Sequence, residues 1–133
     1  MSSTPNFAAT ARIGSGLLTT ADTSLTAPST VTTIITAVAA GTRIESIEVQ
    51  AVATTVAGLV NLFLHDGTTY SLWQQVPVSA VTVSTTNPAF VANLSSASDV
   101  LILPLVLPSG WSLRATTSVA QTGIRVIATG GDF

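Results

Sequence analysis

The stretch TRIESIEVQAV, residues 42–52, decides how the rest of the chain is read. Ile47, Val49 and Ala51 alternate with Glu48 and Gln50, the period of two that a half-buried strand requires. Such a strand has one face for a core and one for water, so it needs neighbours in a sheet and a second layer behind it. Similar runs supply them: VTTIITAV (31–38), GLVNLFL (58–64), TTYSLWQQV (68–76), AVTVST (80–85), AFVANL (89–94), VLILPLVL (100–107), WSLRATTS (111–118) and GIRVIAT (123–129). Gly41, Asp66-Gly67, Pro77, Asn87-Pro88, Pro108-Ser109-Gly110, Gly123 and Gly130-Gly131 punctuate them. The pattern predicts an all-β chain with one β-sandwich domain over residues 31–133, a jelly roll being the favoured subtype. No internal repeat and no amphipathic helix interrupts it.

Composition points the same way. Hydrophobic residues make up 47% of the 133 and charged residues only 8%, against about 25% charged in an average soluble domain. Serine and threonine must therefore supply much of the polar surface, and with valine they suit a pleated sheet. The net charge is −2, and the four basic residues, Arg12, Arg43, Arg114 and Arg125, are scattered with no lysine. That excludes the basic surface a nucleic-acid partner requires. With no cysteine there are no disulfides, thiol nucleophiles or zinc–thiolate sites. Mean hydropathy is +0.60, yet the longest apolar run, residues 100–107, is far short of the ~20 residues of a spanning helix and contains Pro104. No membrane partner is expected, and the first residues lack the basic-then-apolar pattern of a secretory leader. A chain this apolar and weakly charged is expected to hide surface by self-association, a trimer being favoured.

Residues 1–30 differ from the rest. They are rich in Ser, Thr and Ala, include Gly14, Gly16, Pro5 and Pro28, and show little sustained periodicity. They predict an extended N-terminal arm that gains order only against another chain. Its anchors would be Phe7, Ile13, Leu17, Leu18 and Leu25, with Arg12 as a pairing group.

The single histidine, His65, lies in LFLHDGTTYSLW, residues 62–73. A three-residue loop, His65-Asp66-Gly67, would pair Leu64 with Thr68, Leu62 with Tyr70 and Val60 with Leu72. That register places Val60, Leu62, Leu64, Tyr70 and Leu72 on one face, and Leu59, Phe63 and Trp73 on the other. It makes His65 the tip of a turn rather than a catalytic base, and Gly67 its left-handed residue. No serine has a nucleophile elbow around it. Glu45 and Glu48 would face opposite ways unless a bulge intervenes, so a carboxylate pair is not expected. One histidine without cysteine leaves no metal site, and Gly14-Ser15-Gly16 lacks the rest of a phosphate loop. No catalytic residue and no cofactor are therefore predicted. Asn93-Leu94-Ser95 fits a glycosylation acceptor by chance, and GGDF, residues 130–133, reads as a glycine-rich tail ending in an aromatic anchor, Phe133. Trp73 and Trp111 are expected to be covered by core or interface, with sugar stacking as the rival use.

The stretches NLFLHDGTTYSLWQQVPV (61–78) and LVLPSGWSLRATT (105–117), with the closing GGDF, resemble a group of small β-rich proteins encoded among the structural genes of tailed bacteriophages and prophages. The resemblance spans about residues 31–133 and implies a virion setting without any catalytic residue. Within it, capsid decoration proteins fit best: small oligomeric β-folds on the head surface that staple neighbouring capsomers, here with the major capsid protein or other virion proteins as partners, assembled in the host cytoplasm. A tail or head–tail component and a carbohydrate-binding module are the alternatives.

Overall fold

The computed structural model describes residues 10–95 and 104–133. Among them are nine strands and no helix: β1 (Thr10–Leu18), β2 (Thr32–Thr36), β3 (Thr42–Ala51), β4 (Gly58–His65), β5 (Tyr70–Val78), β6 (Val91–Ser95), β7 (Leu105–Leu107), β8 (Ser112–Thr117) and β9 (Ile124–Asp132). They form two antiparallel sheets, β1-β9-β3-β6 with β7 also on β3, and β2-β8-β4-β5, packed as a β-sandwich. The pairing is nested, first strand with last: β1 with β9, β2 with β8, β3 with β6 and β7, β4 with β5.

The alternation in β3 is what the sandwich uses. Ile47, Val49 and Ala51 are buried, while Glu48 and Gln50 are half-buried on the outward side. Across the core they face Val60 and Leu62 of β4 and Leu113 and Ala115 of β8, all fully buried. Each large inward side chain contributes about 1.5–3 kcal/mol by leaving water. Two β-bulges adjust this alternation. In β2 the register shifts between Thr33 and Ile35, so the consecutive Ile34 and Ile35 are both buried. In β3 it shifts between Ile44 and Ser46, so Ile44 and Ile47 both point inward although three residues apart. The extra residue there, Glu45, is exposed and paired with Arg43 at 2.5 Å. The bulge keeps Glu45 on the solvent side, so separation onto opposite faces does not occur.

Four expectations are corrected. Thr10–Leu18 is not an arm lying on another chain. It is the nine-residue edge strand of the first sheet, paired without interruption to β9, and Leu18 is 3% exposed in the chain's own core. Its glycines explain why periodicity missed it. Gly14 and Gly16 occupy inward positions, where a β-carbon would lie 2.3 Å from the Ile34 carbonyl oxygen and 2.4 Å from the Thr32 methyl. The missing side chains let β1 close onto β2. Second, residues 80–85 form no strand. They belong to a loop held to residues 54 and 55, with the Thr55 hydroxyl donating to Ser79 O and accepting from Val81 N, and Thr54 accepting from Val83 N.

Third, the β4–β5 turn has four residues, 66–69, and His65 pairs with Tyr70. The Asp66 carboxylate accepts from the N–H groups of both Thr68 and Thr69, at 2.9 and 2.8 Å, which stabilises the longer turn. A bulge at Trp73 then restores inward alternation, pairing Val60 with Val76. Phe63 therefore shares its outward side with Tyr70 and Leu72, while Trp73 packs against the core. Fourth, Gly130, Gly131 and Asp132 are not a tail but the last residues of β9, paired to both β1 and β3. Phe7 and residues 100–103 lie outside the described residues. So do residues 1–9 of the expected arm; residues 19–31 form a loop.

Candidate functional site

Three groupings of polar and aromatic side chains stand out among the described residues. One is the outward side of β4, β5 and β8, where Phe63, His65, Tyr70 and Arg114 form a layer. The Tyr70 ring meets Phe63 edge-on at 5.9 Å and lies 4.3 Å from the His65 ring. Arg114 sits 5.6 Å from the Tyr70 centroid and donates to its hydroxyl at 3.0 Å and to Ser112 Oγ at 2.9 Å. His65 is 8% exposed, and its Nδ1 accepts the Gly67 N–H at 3.2 Å. Further along the same side of β4, the buried Asn61 accepts from Gln75 at 2.9 Å. The imidazole thus packs on Tyr70, accepts a turn amide and lies opposite Ser112 across the β4–β8 ladder, with the Asp66 carboxylate next to it in the chain. The layer consolidates the outward side of the second sheet.

The second is the end of the sandwich where chain start and chain end meet. Arg12 donates to both carboxylate oxygens of Asp132, at 2.9 and 3.2 Å, and to Thr36 O at 3.0 Å. Thr42 donates to the same carboxylate at 2.8 Å. This network ties β1, β2, β3 and β9 together, so Arg12 is engaged within its own chain. The third is the loop after β1, where Asp22 accepts three backbone N–H groups, from Ser24, Ser29 and Thr30. Those donors hold its carboxyl below the ordinary 3.8, the Thr30 N–H most strongly.

Trp73 and Trp111 are half-buried and packed against the core, and Trp111 is also held by backbone bonds to Pro108 O and from Ala37 N. Phe133 is 41% exposed, with its N–H on Gly41 O. Among the described residues no cleft opens, and no three His, Cys, Asp or Glu side chains converge as metal ligands.

The outward face of the first sheet is one accessible apolar surface. Register places Ile13 beside Thr129 and Ser46, Ser15 beside Ile127 and Glu48, and Leu17 beside Arg125, Gln50 and Val91. Ile13 is 72% exposed, Leu17 41% and Val91 49%, with Val106 52% exposed next to Arg43 on the same side. Leu25, in the loop after β1, is 41% exposed. Of the expected interface residues, Ile13, Leu17, Leu25 and Phe133 are accessible, whereas Arg12, Leu18, Trp73 and Trp111 are committed to the chain's own packing. Sequence reasoning missed Val91 and Val106; their outward positions follow from pairing to β3. No family model matches the chain, and no curated protein or solved structure matches it either.

Proposed function

We propose that this chain is a structural virion protein of a tailed phage, a capsid decoration protein that binds the assembled head as a symmetric homo-oligomer and stabilises it. The setting rests on the resemblance of residues 61–78 and 105–117. The observation that carries the assembly role is the outward face of the first sheet, with Ile13, Leu17, Val91 and Val106 exposed beside the paired Arg43 and Glu45 and beside Glu48 and Arg125. A face of that kind suits broad contact with protein. The nested pairing, with β6 and β7 taken as one interrupted strand against β3, is the arrangement of a jelly roll, which supports that subtype. The packing of both tryptophans weighs against the carbohydrate-binding alternative.

The test is to mix the purified chain with heads lacking it. Saturable co-sedimentation and greater retention of DNA on heating are expected. Failure to bind heads sinks the proposal, and binding confined to tails replaces it with the tail reading.

A further inference from the structure

Sheet edges invite pairing with other chains, and proteins blunt them with proline, bulges or short strands. Three edges among the described residues carry such a device. β5 has Pro77 and the bulge at Trp73, β2 is five residues long and bulged, and β6 is five residues long. β1 has none. Its nine residues pair with β9 in unbroken register, no described strand pairs with its other edge, and it contains no proline. Its one charge, Arg12, is drawn to Asp132 and Thr36, so two such edges would meet without repulsion between like charges.

We propose that β1 is a self-association edge: two copies join β1 to β1, antiparallel, about a twofold axis at Ser15, fusing their first sheets into one. The register follows from the side chains. With Ser15 opposite Ser15 of the second copy, Ile13 faces Leu17 and Leu17 faces Ile13 on the outward side, so both exposed apolar side chains of each strand gain an apolar partner. On the inward side Gly14 faces Gly16, which leaves the centre of the seam open, and Arg12 faces Leu18 towards its ends. The inference deepens the assembly part of the proposed function, replaces the trimer expected from composition with a twofold pair, and does not depend on the virion setting.

The chain has no cysteine, so single thiols report the register. Ser15→Cys is expected to give a disulfide-linked dimer on mild oxidation, because directly opposed residues lie within disulfide reach. Ile13→Cys is not, because its counterpart would sit about 13 Å away along the strands. Light scattering of the unmodified chain is expected to give twice the 13.5 kDa chain mass. Ile13→Lys, at an exposed position, is expected to halve that mass with an unchanged far-UV spectrum. A monomeric mass, or Ser15→Cys linking no faster than Ile13→Cys, overturns the seam. A trimeric mass also overturns it while leaving oligomeric assembly standing. A dimer that fails to bind heads upholds the seam and removes the decoration reading.

Discussion

Two glycines separate two ways a side chain can be forbidden. Gly67 has φ +108°, and a β-carbon there would meet nothing within 4 Å, so Gly67→Ala adds backbone strain alone. A loss of about 1 kcal/mol is expected. At Gly14 the limit is space, because the nearest atoms are backbone of β2 and cannot swing away. Gly14→Ala is therefore expected to cost about 3 kcal/mol or more, the upper end of overpacking penalties. Urea denaturation of the two variants checks the order, and equal losses would remove the account of β1 closing onto β2. Asp22 and Asp66 set the acid response. Backbone N–H donors depress both carboxyls in the folded chain, those of Thr30 at Asp22 and Thr69 at Asp66 acting most strongly. Their stabilisation is present above the unfolded value and is lost as pH falls through the lower folded value. The melting temperature is expected to hold from about pH 7 to pH 5 and to fall below the ordinary 3.8. Asp22→Asn is expected to flatten that fall, and an unchanged acid profile would count against it.

At the scale of elements, β1 behaves differently from the arm its composition implies. Its inward positions hold Arg12, Gly14, Gly16 and Leu18, so only one of the four is a large apolar side chain, and a period-two search finds no strand. The deletion of residues 1–18 is expected to expose the β9 edge and the core around Ala128, with loss of cooperative melting in circular dichroism. A cooperative transition close to that of the full chain would restore the arm. The strands from β2 to β5, β8 and β9 were legible because each carries β-branched or aromatic residues in alternation between turn residues. The bulges were not, since whether Ile34 or Glu45 is an extra residue depends on the partner strand opposite it. The turn after His65 was misjudged for the same reason. The three-residue loop satisfied local alternation, and only the bulge at Trp73 makes the four-residue turn compatible with an inward-facing β5.

For the molecule as a whole, scarce charge and an exposed outward side of the first sheet accompany a sandwich whose core is built from both sheets. The all-β class and the turn sites at Gly41, Gly67 and Gly110 were determined by the sequence alone. They depend on local quantities: side-chain alternation about an extended backbone, and positive φ at a residue without a β-carbon. The tertiary structure alone decided that Arg12 meets Asp132, 120 positions away, that Gly14 and Gly16 are contact points between sheets, and that both tryptophans pack against the core. Each of these rests on the pairing of first strand with last, and a contact between distant segments leaves no periodic trace in either segment by itself.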